Sequence, residues 1–154
     1  MTEKVKEVVI PKEAAVFWMD KNGRWHNRHG EFKNRKIRQY FHSAIKKDKN
    51  GYYVTQVRGQ LREKVYFPYE DTALFVVDVK KDDEIILIIN TGNNIRLNPA
   101  GLFVRDDNLY LQRGEDRIKF ADRGLLKISD FLEFRDESYF IRIDGRTLPI
   151  PEKS

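Results

Sequence analysis

The chain of 154 residues has no cysteine, which excludes disulfides and thiolate metal sites and points to a reducing compartment. No apolar run reaches the roughly 18 residues that a membrane-spanning helix needs, so no membrane partner is expected. The start, Met1 to Glu7, alternates charges and lacks the apolar stretch of a signal peptide, and a cytoplasmic location is the expectation. There is no Gly-x-Ser-x-Gly elbow and no glycine-rich phosphate loop. Before the tail the serines are Ser43, Ser129 and Ser138. Little here supports catalysis, so no catalytic residue is assigned and no cofactor is expected. Histidines number three. His26 and His29 stand near Asp20 and Glu31, but residues i and i+3 of a strand point to opposite faces and chelate poorly. No metal site is expected.

What is present is charge, and it is uneven. Residues 1–64 carry sixteen basic and seven acidic side chains, a net of +9. Residues 65–154 carry thirteen and seventeen, a net of −4. A basic half beside an acidic one either helps the halves dock or gives one of them an anion-seeking face.

The chain also echoes itself. Val16-Phe17-Trp18-Met19-Asp20-Lys21-Asn22 returns, 86 residues on, as Leu102-Phe103-Val104-Arg105-Asp106-Asp107-Asn108. Trp25-x-x-Arg28-x-Gly30 is matched by Tyr110-x-x-Arg113-Gly114, and Tyr52-Tyr53-Val54 by Tyr139-Phe140-Ile141. Two copies are too few for a solenoid. They predict two similar subdomains, 1–68 and 69–154, divided at Pro68, with a ligand seam between them. The opposing reading is that strand, turn, strand, helix is a common succession.

Local signals predict an α+β, β-rich chain of roughly ten short strands, mainly antiparallel, with one helix in each half. Val8 to Pro11 reads as an edge strand or arm. Asp20-Lys21-Asn22-Gly23 reads as a hairpin turn. Asn34 caps a helix to about Lys47, with Ile37, Tyr40, Phe41, Ala44 and Ile45 on its apolar face. The near-continuous apolar runs at Leu74 to Val77 and Ile85 to Ile89 imply burial on both faces. A second helix is expected from Gly124 to Phe134, capped by Asp122. The turn at Asp144-Gly145 closes a last hairpin.

Several weak motifs in a particular order carry a family resemblance. They are Asp20-x-x-Gly23-x-Trp25-x-x-x-x-Gly30, a helix ending in Asp48-x-x-Gly51-x-Tyr53, and Tyr69-Glu70-Asp71-Thr72. Ile89-Asn90-Thr91-Gly92-Asn93, Arg113-Gly114 and Asp122-Arg123 follow. From about Phe17 to Ile143 the chain resembles an uncharacterised bacterial family, the domain of unknown function numbered 1285. The resemblance implies a domain duplication and a C-terminal part like a pleckstrin-homology fold. It also implies an interdomain groove for a nucleotide-like or nucleic-acid-derived ligand, with a signalling role. The chain departs from the family pattern at Asp71-Thr72-Ala73-Leu74, where a proline is usual, and in the order Asn90-Thr91. Nothing is carried over at those positions.

The function expected from these readings is a non-enzymatic module that binds a small anionic, nucleotide-like ligand. The ligand-facing set comprises Arg28, Arg113, Glu70, Asn90 and Thr91, with Trp25 or Tyr53 as a flat apolar wall. Arg28 and Arg113 hold equivalent places in the echo, and guanidinium forks suit phosphate or carboxylate. Against this, each arginine has a nearby acid, Asp20 or Asp106, and Glu70-Asp71 suits a turn that binds backbone amides. Two alternatives remain. One is a nucleic-acid-binding protein using Arg24, Trp25, His26, Arg28, Arg35, Lys36, Arg38, Tyr52 and Tyr53. The other is a hydrolase of a phosphorylated compound. Neither the ligand nor the oligomeric state is legible from the residues.

Overall fold

A computed structural model describes residues 6–154. Most of the charge-alternating start discussed above therefore lies outside the described residues. The chain divides into two compact units, Met1–Ala73 and Leu74–Ser154. Both are β-rich, each has one α-helix, and none of the sheets closes on itself.

The first unit begins with β1 (Lys6–Ile10), then a meander of β2 (Phe17–Met19), β3 (Trp25–Asn27) and β4 (Gly30–Glu31). The β2–β3 turn follows from its side chains. Asp20 Oδ1 accepts from the Asn22 and Arg24 amides at 2.8 and 3.0 Å, and Gly23 takes φ +81°, which a Cβ would oppose. Helix α1 (Arg35–Ala44) is capped by Asn34, whose Oδ1 accepts from the Ile37 amide at 3.1 Å. It stops at Ala44, short of the expected Lys47, because Lys46 opens β5 (Lys46–Asp48). β5, β6 (Gly51–Arg58) and β7 (Leu61–Tyr66) form a second meander. β1 adds to its far edge, parallel to β7, giving the order β1-β7-β6-β5.

The core of this unit is aromatic. Trp25 is wholly buried, and its ring meets Phe67 at 4.8 Å, Phe41 at 5.3 Å and Phe17 at 5.8 Å, all edge-on. Edge-to-face pairs add about 0.5–1.5 kcal/mol each beyond area burial. The predicted apolar face of α1 is only partly used. Ile37 and Tyr40 remain 48% and 56% exposed, and no α1 residue is fully buried. The unit continues beyond Pro68. The Met19 amide donates to Pro68 O, and the Glu70 amide to Met19 O, both at 3.0 Å, so Tyr69 forms a parallel bridge with Met19.

The second unit starts with β8 (Leu74–Lys81), β9 (Ile85–Ile89) and β10 (Asn94–Arg96). A meander of β11 (Leu102–Arg105), β12 (Asn108–Arg113) and β13 (Asp116–Phe120) follows, and β13 pairs parallel with β8. The six strands run β10-β9-β8-β13-β12-β11. Helix α2 (Asp122–Ile128) follows, then a 3-10 turn at Ser129–Phe131. A last meander comprises β14 (Leu132–Arg135), β15 (Ser138–Ile143) and β16 (Arg146–Ile150). The second helix is shorter than predicted, since Leu132 already pairs with Ile141 in a strand. Asp122 lies inside it, and Ala121 holds the cap position without a side-chain bond. The apolar run of β9 is not buried on both faces either. Ile85, Leu87 and Ile89 enter the core while Ile86 and Ile88 stay partly exposed.

The two units share an order of elements, three-stranded meander, helix, three-stranded meander. They also share a detail. In the second unit the Val104 amide donates to Pro151 O at 2.9 Å and the Lys153 amide to Val104 O at 2.8 Å. Glu152 is thereby bridged in parallel to Val104, as Tyr69, also following a proline, is bridged to Met19. Among the described residues no helix is long and apolar enough to cross a membrane.

Candidate functional site

The first unit contains a cleft where the turn between β3 and β4 lies against the start of α1. Its volume is about 340 Å3, at the lower end of ordinary ligand pockets. Phe32, Ile37 and Phe41 supply its apolar surface, and the Phe32 and Phe41 rings meet edge-on at 5.1 Å. Asn27, His29, Lys33 and Asn34 stand around it.

Local sequence explains the shape. Asn27 Oδ1 accepts from the His29 amide at 2.8 Å, folding the turn back. Gly30 takes φ +113°, which an L side chain rarely adopts. The Phe32 amide donates to Trp25 O at 2.9 Å, carrying the chain on to α1. The first turn of α1 has no acidic residue and begins with Arg35 and Lys36, so the positive end of the helix dipole is left uncompensated. Glu31, the one acid of the lining, has Arg24 at 3.5 Å.

The predicted ligand-facing residues separate into two groups. Arg28, Glu70, Trp25 and Tyr53 belong to the first unit, and Arg113, Asn90 and Thr91 to the second. Arg28 is exposed in the turn beside the cleft, where its Nε donates to His29 Nε2 at 3.2 Å. Asp20, the acid expected to hold Arg28, accepts instead from His26 at 2.7 Å. Glu70 Oε2 accepts from the Lys21 amide at 3.0 Å, which is the turn-binding role. Trp25 has no exposed surface and is a core residue, so it offers no wall to a ligand. Tyr53 lies on the four-stranded sheet with Lys64 Nζ 4.4 Å from its ring centre. In the second unit Arg113 is exposed at the end of β12, opposite Asp116. Asn90 Oδ1 accepts from the Phe75 amide at 3.1 Å, and Thr91 Oγ1 from Asn93 Nδ2 at 3.1 Å.

None of the seven lines the cleft. Phe32 and Lys33 carried no sequence signal, and Ile37 read as core. Of the lining, the sequence marked Asn34, as the cap of a helix.

Asp20, His42 and Ser43 have local partners. Burial works to raise the Asp20 carboxyl, but the His26 bond and the Arg24 and Asn22 amides outweigh it and leave the group below its usual range. Burial also lowers the His42 pKa, against the bond between Nε2 and Gly23 O at 3.0 Å and with Arg38 assisting. Ser43 Oγ donates to Tyr40 O at 3.0 Å. Among the described residues no cluster of three or more histidines and acids could hold a metal.

No family model matches the chain, and no curated protein does. Solved structures do. One is a DUF1285 family protein from Silicibacter pomeroyi DSS-3, with a TM-score of 0.61 over 94% of this chain and 83% of that one, at 14% identity. Another is a DUF1285 family protein from Shewanella baltica OS155, with a TM-score of 0.50 over 72% of this chain and 87% of that one, at 17% identity. At these identities the likeness is one of fold. Its fold is thus that of DUF1285 family proteins, the family its sequence resembles.

Proposed function

We propose that the chain is a non-enzymatic ligand-binding module of a signalling kind, and that its first unit takes a small anion with a flat or branched apolar body. The observation that carries this reading is the cleft beside α1, apolar in its lining and positive at its edge. A ring of nucleotide-like size packs against Phe32, Ile37 and Phe41. Its anionic group turns toward Lys33 and the positive end of the α1 dipole. The shared order of elements and the matching bridges after Pro68 and Pro151 support a duplicated ancestry for the two units.

The test uses a matched pair of probes. Anilinonaphthalene sulfonate is aromatic and anionic, and N-phenyl-1-naphthylamine is its neutral counterpart. The sulfonate is expected to bind more tightly. Lys33→Glu should weaken it about 10-fold, the loss of one charge-assisted contact, while leaving the neutral probe nearly unchanged. Ile37→Asp should weaken both. Equal affinity for the two probes, or indifference of the sulfonate to Lys33→Glu, would refute an anion-selective cleft. A thermal-shift screen with mononucleotides then names the ligand, since a ligand bound only by the folded state raises the midpoint.

A further inference from the structure

We infer that the outer face of the four-stranded sheet carries a second anion site, fitted to the phosphoryl group of a small phosphorylated compound. It shares no lining residue with the cleft. Side chains of β6 alternate. Tyr52 and Val54 are buried, while Tyr53 and Thr55 turn to the opposite face. Strand register then decides what joins them. Tyr53 stands beside Lys46 of β5 and Tyr66 of β7, Thr55 beside Lys64, and Val57 beside Arg62. The parallel pairing of β1 puts Glu7 beside Arg62. A recess of about 260 Å3 results, lined by Glu7, Lys46, Tyr53, Thr55, Arg62 and Lys64. β5 and β7 flank β6, so their backbones are about 10 Å apart, a span that long cationic side chains cross.

The three cations differ in what holds them. Lys64 is bonded to the Asp48 carboxylate, which also accepts from Tyr66 Oη at 2.7 Å. Its ammonium stands 4.4 Å from the Tyr53 ring centre and 5.5 Å from that of Tyr66. It is fixed in place, with its charge balanced by Asp48. Lys46 and Arg62 are exposed, and among the described residues no ion pair engages either. They supply a point charge and a planar fork, and Thr55 supplies a hydroxyl, the donor set that an oxyanion requires.

The lining also limits the ligand class. Glu7 faces Arg62, so an incoming anion must bring more charge than one carboxylate to hold the guanidinium. A phosphate monoester, with a charge of roughly −1.5 to −2 near neutral pH, does so. A simple carboxylate does not. Nor is the face suited to a nucleic-acid strand, because Lys64 already covers one side of the Tyr53 ring, which base stacking would need.

Amide chemical shifts of the full chain, followed during titration with pyrophosphate, inorganic phosphate and acetate, test the site. Pyrophosphate should shift the amides of Lys46, Thr55 and Arg62 saturably, phosphate more weakly, and acetate not at all. Arg62→Ala and Lys46→Ala, both at exposed positions, should each weaken pyrophosphate about 10-fold. Glu7→Gln should tighten phosphate and admit acetate. Ile37→Asp should leave pyrophosphate binding unchanged, so failure of the cleft and failure of this face are separately readable. Shifts that do not saturate, or that persist in both alanine variants, overturn the proposal. So does a single-stranded oligonucleotide that binds this face more tightly than pyrophosphate.

Discussion

His42 and Asp48 are two side chains whose ionisation the fold holds below its ordinary range, for different reasons but with the same consequence, a loss of stability as pH falls. Burial lowers the His42 pKa. Its neutral form is therefore favoured by folding, and the benefit is complete above the unfolded value near 6.5. As pH falls below that value the unfolded chain takes up the proton first, and stability drops until the folded pKa is passed. Thermal midpoints should decline on going from about pH 7 to pH 5, and His42→Gln should flatten that part of the profile. An unchanged slope in the variant would remove His42 as its source. Asp48 is held at about 2 by its bonds from Lys64 and Tyr66. Its contribution is present above the ordinary aspartate value of 3.8 and is lost as pH falls toward 2. Asp48→Asn should abolish the part of the acid transition that lies between those values, measured by circular dichroism.

Within single elements, caps and close approaches set the energies. Asn34 satisfies the Ile37 amide at the start of α1, and Asn34→Ala should cost about 0.5–2 kcal/mol in urea unfolding. The same change should loosen the cleft, since Asn34 lines it. Gly124 poses the reverse case. It lies in α2, where alanine is ordinarily the better helix former by about 1 kcal/mol. A Cβ there would run into the Val76 carbonyl oxygen of β8. Gly124→Ala should therefore destabilise the second unit by about 1–3 kcal/mol. A gain in stability would show that α2 moves off β8 at little cost. Asp78 ties the same region together, accepting from Lys127 at 2.6 Å.

At the scale of the molecule, each unit has its own core, of different character. The first is a cluster of aromatic rings around Trp25, and the second is aliphatic, built from Val76, Leu87, Leu102, Leu111, Ile128 and Ile141. Leu87 is fully buried at the middle of β9. Leu87→Ala should cost about 2–5 kcal/mol from lost transfer energy and the cavity left behind, read as a lower urea midpoint at unchanged slope. A cost well under 1 kcal/mol would mean that the core collapses around the gap. Trp25 carries the larger side chain of the two cores, and its replacement by alanine should lower the midpoint of the first unit by a similar or greater amount.

The sequence by itself determined what depends on neighbours along the chain. The Asp20–Gly23 turn, the Asn34 cap, and the Asp144–Gly145 turn with the last hairpin it closes all follow from residues within a few positions of one another, whereas Gly51, placed by the sequence at a helix end, turns a hairpin between β5 and β6. Each needs only a local side-chain bond or a positive φ. The basic first half and the repeating order of elements were legible for the same reason. The tertiary structure decided what depends on distant partners. That β1 pairs parallel with β7, and β13 with β8, is set by packing between segments about fifty residues apart or more in the first case and forty in the second. Whether Ile86 or Leu87 enters the core depends on which face of β9 is covered, a choice that a run of five apolar residues leaves open. The cleft has the same origin. Ile37 has the spacing of a core residue, yet no element covers it, and Phe32 reaches Phe41 only because the β3–β4 turn brings it there. The recess on the sheet likewise exists only because strand register brings Lys46 of β5 together with Arg62 and Lys64 of β7 across β6.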